Sequence, residues 1–406
     1  MRYDAGTSFI SAMEGISILC YNTFMQNVVI IGAGFAGTAV MRALARHHRD
    51  IQVTLIDKSD RMHFLPLLPD VIGRELPWQC LTEDIRRICT RTGTRFCQEE
   101  VVRIDPEKRV VLTGKGSHAY DYLVIASGSQ TNFYGNLQAQ RRAFCLDNAD
   151  DAMRLAQAVR KGAFDTVVIA GAGYTGVEIA SNVAVYFKKH NLDRRIIVVE
   201  RQQSILGPLP EWMKAYCVAH LQKLGVEIHT ATMIEEIREN EIVLSGNRLL
   251  ARPLLVWAAG VRTADFIQHY PAEKNTQGRL KVGAQLRLDE RIFCVGDASL
   301  FTHGNAALRM AVQYALFEGT VAAENIMRCI RNRPLRQYRP LDLGYIIPLA
   351  NNKGCGVIFG VPVRGVCAVF LHYCMCLFRL EGFRNKWCVL RALVMPQRKG
   401  TELCAR

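Results

Sequence analysis

Two short glycine runs carry the chemistry of this chain. Gly32-Ala33-Gly34-Phe35-Ala36-Gly37 and Gly171-Ala172-Gly173-Tyr174-Thr175-Gly176 both read G-x-G-x-x-G. The first glycine of such a run permits a tight turn. The second lets a pyrophosphate approach the backbone, and the third lets a helix pack on a strand. The free N–H groups at the start of the following helix then face the phosphates. Downstream stand two acids, Asp57 and Glu200, each at the end of an apolar run, where a carboxylate accepts hydrogen bonds from a ribose diol. Two such sets describe two dinucleotide sites in one chain.

The elements that must position these residues are legible around them. Asn27-Val28-Val29-Ile30-Ile31 is a β-branched apolar run, the composition of a buried parallel strand, and helical composition follows from Thr38 to His47. Val53-Thr54-Leu55-Ile56 leads to Asp57. The pattern repeats with Thr166 to Ala170, a helix over Val177 to Phe187, and Ile196 to Val199 before Glu200. Tyr120-Asp121-Tyr122-Leu123-Val124-Ile125-Ala126-Ser127-Gly128 is a strand ending in a small-residue turn, and Arg291 to Asp297 is a strand ending in Gly296-Asp297. An acid in that place suits the ribityl or pyrophosphate end of FAD. The chain then visits the first site, the second, and the first again, so one nucleotide domain is inserted in the other. Trp257-Ala258-Ala259-Gly260 closes the insertion.

Composition sets the frame. The chain has 406 residues, half of them hydrophobic and 22% charged, with 51 Lys+Arg against 37 Asp+Glu and a net charge of +14. This excludes a disordered chain and leaves room for two or three domains. The basic residues are dispersed rather than clustered, which argues against nucleic acid as a partner. The apolar run from Gly365 to Phe378 is too short to cross a bilayer. None of the 14 cysteines forms a CxxC pair, so no zinc ribbon or CxxC dithiol is expected. The thiols are expected to be reduced, with Cys294 a small core residue. Residues 1–26 form an extension without the order of a targeting peptide, and Met25 is a candidate start.

In these motifs the sequence resembles the two-dinucleotide-binding-domain flavoproteins and, among them, the type II NADH dehydrogenases, single-subunit NADH:quinone oxidoreductases. The matching segments are Phe64-Leu65-Pro66-Leu67-Leu68, Tyr120 to Gly128 followed by Asn132-Phe133-Tyr134-Gly135, Gly176-Val177-Glu178, Trp257-Ala258-Ala259-Gly260-Val261, and the aromatic and basic tail. The resemblance implies an α/β fold of two Rossmann-like domains, one inserted in the other, plus a C-terminal membrane-associating segment. Residues 27–150 and 263–335 would bind FAD, 151–262 would bind NADH, and 336–406 would meet a membrane surface or a second subunit. It implies FAD at Gly32, Ala33, Gly34, Phe35, Ala36, Gly37, Asp57, Lys58, Ala126, Ser127, Gly128, Gly296 and Asp297. NADH would lie at Gly171, Gly173, Gly176, Glu200 and Gly260. Glu178 and Gln313 are the implied catalytic residues. Glu178 would stand beside the flavin, although an acid at a helix start is also favoured by the dipole alone. Gln313 would hydrogen-bond a quinone carbonyl.

The implied reaction passes hydride from NADH to FAD and two electrons on to a membrane quinone, without proton pumping. Glu200 favours NADH over NADPH by repelling a 2′-phosphate, and Arg201 beside it softens that preference. Basic residues Arg379, Arg384, Lys386 and Arg391 interleave with Leu380, Phe383, Trp387 and Leu390, as an interfacial helix pair requires. A peripheral enzyme on the cytoplasmic side of the cell membrane follows, or else a homodimer contact.

The family's quinone motif, Ala-Gln-x-Ala-x-Gln, is altered. In Leu308-Arg309-Met310-Ala311-Val312-Gln313, Gln313 matches the second Gln and Arg309 stands in place of the first; Pro69 replaces a usual Tyr. These departures keep a slow flavin-based redox sensor as an alternative. A sulfide:quinone oxidoreductase is the nearer one, and would need reactive cysteines, with Cys145 and Cys355 the candidates.

Overall fold

The computed structural model describes residues 25–394 apart from His48 and Asn305. Most of the expected N-terminal extension, and the tail beyond Val394, lie outside the described residues. In chain order the elements that matter here begin with β1 (Gln26–Ile31), α1 (Phe35–Leu44), β2 (Ile51–Asp57), β3 (Arg95–Gln98) and β4 (Tyr122–Ile125). Next come β5 (Thr166–Ala170), α2 (Tyr174–Lys189), β6 (Arg195–Val199), α3 (Glu211–Lys223), β7 (Val226–His229) and β8 (Pro253–Trp257). The chain continues through β9 (Ile292–Cys294), α4 (Val312–Ile330), β10 (Gly344–Leu349), β11 (Lys353–Ile358), β12 (Val361–Arg364), α5 (Gly365–Arg379) and α6 (Phe383–Val394).

Two parallel sheets form the scaffold. The first has the order β9-β4-β1-β2-β3 and the second β7-β6-β5-β8. Every residue of β4 and of β5 is buried, as central strands covered on both faces by helices must be. β9 returns to the first sheet after the whole second sheet has been built, so the second is inserted in the first. The two crossings are tied together: Gln130-Thr131 pairs with Val261-Arg262, and the Trp257 indole N–H donates to the Asn132 carbonyl at 2.9 Å.

A third, antiparallel sheet of β10, β11 and β12 leads into α5 and α6. Buried residues of this segment, among them Ile347, Leu349, Cys355, Cys376 and Val389, share a core with the second sheet. No helix among the described residues is long and apolar enough to cross a membrane.

One expectation is corrected. Cys80, in the turn Trp78–Leu81, forms a disulfide with Cys388 of α6, so these two thiols are not reduced. They are 308 residues apart, and only the docking of α6 beside that turn brings them together. Asn385 reinforces the docking by donating to the Thr82 carbonyl at 2.9 Å. Cys294 is a free, fully buried core thiol, as its apolar surroundings in the sequence suggest.

Candidate functional site: two dinucleotide cradles

At both glycine runs the backbone explains the residue choice. Gly32 has φ +100°, and a Cβ there would lie 2.4 Å from the Ala126 carbonyl oxygen. A Cβ on Gly37 would lie 1.8 Å from the Gly32 oxygen. The second run repeats this: Gly171 has φ +98° with a Cβ 2.4 Å from the Ala258 oxygen, and a Cβ on Gly176 would meet the Gly171 oxygen at 2.0 Å. These four positions therefore admit only glycine. Gly34 and Gly173 differ, because an added Cβ would meet nothing within 4 Å. Each is exposed and sits at the N-cap of its helix, which has no side-chain cap. Open space before uncapped N–H groups is what a pyrophosphate requires.

The two acids are bound alike. Asp57 accepts from the Ala33 N–H at 2.7 Å and the Ser59 N–H at 2.8 Å; Glu200 accepts from the Ala172 and Gln202 N–H groups, both at 2.8 Å. Each carboxylate oxygen keeps a lone pair for a ribose hydroxyl. Burial pushes the Asp57 carboxyl above its ordinary range, against the opposing pull of those backbone bonds.

The remaining residues expected around the first cradle gather at the same end of the first sheet. Ala126, Ser127 and Gly128 follow β4, and Gly296 and Asp297 follow β9. The Ser127 hydroxyl is buried without a protein partner, an acceptor or donor left for a ligand. Asp297 accepts from the Ser129 hydroxyl at 2.8 Å, and burial raises its pKa. Phe35 packs edge-on against Phe64 at 5.7 Å. The Lys58 charge is felt by Asp57 and by Asp147. Gly260 lies under the Tyr134 hydroxyl, which donates to the Ala259 carbonyl at 3.2 Å. The residues present thus fit FAD in the first cradle and NADH in the second.

Glu178 lies in the second turn of α2, too far along for a helix-start acid held by the dipole. Burial pushes its pKa well above the ordinary carboxylate value, and the charge of Asp70 adds to the rise. Asp70 is itself buried, paired to Arg74 at 3.1 Å and accepting from the Tyr373 hydroxyl of α5 at 2.6 Å. Pro69 forms the N-cap of the short helix that begins at Asp70, which gives its departure from the family a structural role.

Gln313 departs from expectation. α4 begins at Val312, so Arg309 precedes the helix, and the residue one turn beyond Gln313 is Phe317. Gln313 is 4% exposed, and its amide nitrogen donates to Asp342 at 3.2 Å and to the Gly344 carbonyl at 3.3 Å. Its amide oxygen accepts from the Leu343 N–H at 3.3 Å. Spacing in the sequence cannot reveal this, because Asp342 and Gly344 arrive from the third sheet.

Several residues of the site escaped sequence reasoning. Glu318 of α4, almost fully buried, accepts from the Gly296 N–H at 2.7 Å and the Ser299 hydroxyl at 2.8 Å. Burial raises its pKa to about 7. Arg279, also buried, donates to the Ser299 and Leu308 carbonyls, both at 2.9 Å. These two hold the Gly296-Asp297 turn. A charged residue inside the apolar stripe of α4 was the one signal for Glu318.

The two candidate cysteines differ: the bond to Cys217 lowers the pKa of Cys355, and the surroundings of Cys145 raise its own. The Cys145 thiol faces Asp151 at 3.5 Å, and burial with two neighbouring acids raises its pKa to about 12. Cys355 is fully buried, 3.6 Å from Cys217.

Comparison with known proteins agrees with this geometry. The chain is 26% identical over 374 residues to the Type II NADH:quinone oxidoreductase of Staphylococcus aureus (strain NCTC 8325 / PS 47), covering 85% of this chain and 93% of that one. Its fold matches the structure of NDH2 from Plasmodium falciparum in complex with NADH, with a TM-score of 0.81, 16% identity, and coverage of 91% and 97% of the two chains. The sulfide:quinone oxidoreductase of Aquifex aeolicus shares the fold at a TM-score of 0.74 and 16% identity, with coverage of 92% and 96%. The profile described as Pyridine nucleotide-disulphide oxidoreductase matches residues 26–319. This chain belongs to the pyridine nucleotide-disulphide oxidoreductase family.

Proposed function

We propose that the protein is a FAD-dependent NADH:quinone oxidoreductase of type II, converting NADH, a proton and a quinone into NAD⁺ and a quinol. The observation that carries this is the pair of near-identical cradles on one chain, with Glu178 desolvated in the second turn of the helix that leaves the second. FAD in the first cradle supplies a two-electron carrier between nicotinamide and acceptor. The chain supplies position: the uncapped starts of α1 and α2 hold the two pyrophosphates, and Asp57 and Glu200 fix the riboses. A carboxyl with a raised pKa holds its proton nearer neutral pH, so Glu178 is suited to give one up when the acceptor needs it. The domain limits given above follow the same division of labour.

The end of the chain supports a place on a membrane surface. Val366, Phe370, Phe378, Phe383, Trp387 and Val394 of α5 and α6 are all exposed, beside Arg384, Lys386 and Arg391. Large apolar side chains next to cations fit an anionic lipid surface, where a quinone is also found. Cations at the rim favour lipid over a second copy of the chain, and the cytoplasmic face is the side where NADH is made.

The test is spectroscopic. Anaerobic NADH is expected to bleach the bound flavin, and a ubiquinone or menaquinone analogue to restore its colour with multiple turnovers. Bleaching by sulfide but not by NADH would overturn the assignment. Bleaching by NADH with no quinone-dependent turnover would make the protein a sensor instead.

A further inference from the structure

Beside the first cradle, three unlike ligand groups converge. Cys97 lies in β3, Glu99 follows that strand, and His118 comes from the strand Gly116–Ala119, 19 residues beyond Glu99. The thiol, a carboxylate oxygen and an imidazole nitrogen all lie within 4.8 Å of one another. Cys97 and Glu99 are two residues apart on an extended chain, so their side chains leave the same face. β3 is the edge strand of the first sheet and pairs with β2 as far as Asp57 opposite Gln98. The Glu99 N–H then donates to the Asp57 carbonyl at 2.9 Å, which fixes the group next to the ribose acid.

The three groups already hold one another. The His118 Nε2–H donates to Glu99 Oε2 at 2.9 Å, and the Thr113 hydroxyl donates to the same oxygen at 2.6 Å. The Glu99 and His118 side chains are partly exposed and Cys97 is buried, so the group opens to solvent on one side. Among the described residues one other set of this kind occurs, Cys145, Asp147 and Asp151. Its carboxylates are taken: both Asp147 oxygens accept from Thr131, while Asp151 accepts from the Asp147 N–H and pairs with Arg154. It also has no imidazole.

We propose that Cys97, Glu99 and His118 bind one zinc ion, with water in the fourth position. Ligand atoms about 2.0–2.3 Å from one ion lie within about 4.6 Å of each other, so small side-chain rotations suffice. The thiol releases one proton to solvent, and the imidazole carries its own on Nδ1, leaving Nε2 for the metal. Thiolate and carboxylate then balance the two charges of the ion. Thr113 orients the carboxylate, as outer partners of metal ligands do. Sulfur and nitrogen donors disfavour magnesium and calcium, which take oxygen. Zinc has no redox chemistry, so the ion joins the hairpin to the sheet edge and the proposal stands apart from the quinone reading.

The experiment uses the full flavin-loaded chain, made without a histidine tag and stripped with a chelator. It is titrated with zinc by calorimetry and with cobalt(II), read in the red where oxidised flavin does not absorb. One ion per chain and the intense bands of tetrahedral cobalt are expected, and X-ray absorption of the zinc form should show one sulfur neighbour at about 2.3 Å. Cys97→Ser and His118→Ala are expected to lose the bands, Thr113→Val to weaken binding about tenfold, and Cys145→Ser to change nothing. Circular dichroism and flavin content of the same samples report folding. A wild type that binds no zinc, or whose zinc has no sulfur neighbour, would overturn the proposal without recourse to any variant. So would a folded Cys97→Ser protein with the wild-type bands, or a folded Cys145→Ser protein that loses them.

Discussion

The two cradles share a backbone but not a cover. The first glycines have φ +100° and +98°, and the close approaches and acid bonds of the two cradles agree within a few tenths of an ångström. The fifth residue of each run tells them apart: Ala36 is buried and Thr175 is exposed. Ala36 is buried because the chain returns over it. A Cβ on Gly296 would lie 2.9 Å from the Ala36 Cβ, and one on Gly319 of α4 would lie 2.5 Å from the Ala36 oxygen. Among the described residues nothing equivalent closes over Thr175, which is exposed. The same local sequence thus makes two kinds of site. The covered one suits a resident cofactor, and the open one suits a substrate that must leave each cycle.

The largest test of this contrast uses the third glycines. Gly37→Ala forces a side chain onto backbone and is expected to give colourless or insoluble protein. Gly176→Ala is expected to give yellow protein that NADH fails to bleach, since the damage is confined to the inserted domain. Absorbance and circular dichroism read both, and equal loss of flavin in the two variants would break the comparison.

The second glycines sharpen it. Gly173→Ala has room for its methyl group, so the thermal midpoint should stay put while the KM for NADH rises about tenfold. Gly34→Ala should fold as well but lose flavin on dialysis.

A third test addresses the cover. Glu318 has a pKa of about 7 in the folded chain against an ordinary 4.5, so its burial favours the neutral form by roughly 3 kcal/mol. That stability is fully present below pH 4.5 and is lost as pH rises through about 7. Glu318→Gln should abolish this fall, seen as a flatter thermal midpoint between these pH values, whereas substituting Thr175 in the open cradle should leave the slope untouched.

The smallest effect is expected at the ribose acids. Glu200→Gln removes the charge that repels a 2′-phosphate and should shift the NADH to NADPH preference by a few-fold, measured as a ratio of kcat/KM.

Why the cradles were legible in the sequence and the acceptor side was not is a matter of range. Gly32, Gly34, Gly37 and Asp57 answer to a single strand–turn–helix–strand unit whose pattern is read within about thirty residues, although the close approach at Gly32 is to Ala126 of a later strand. The order of the small-residue turns at Ala126, Gly260 and Gly296 likewise revealed the insertion. Arg309 with Asp342, Gln313 with Gly344 and Glu318 with Gly296 are contacts between elements that only the finished fold brings together. The helix start at Val312, which leaves Arg309 in the loop before it, is likewise not marked in the motif itself. Buried acids such as Asp70 and Glu318 look like surface residues in a sequence, because nothing local shows which side of their helix is covered.

The bond between Cys80 and Cys388 encloses the entire inserted domain within one covalent ring. A protease that nicks any exposed turn between those two positions therefore separates nothing: the pieces migrate as one species until a reductant is added. For this protein, apparent intactness on a denaturing gel says little about the continuity of its backbone.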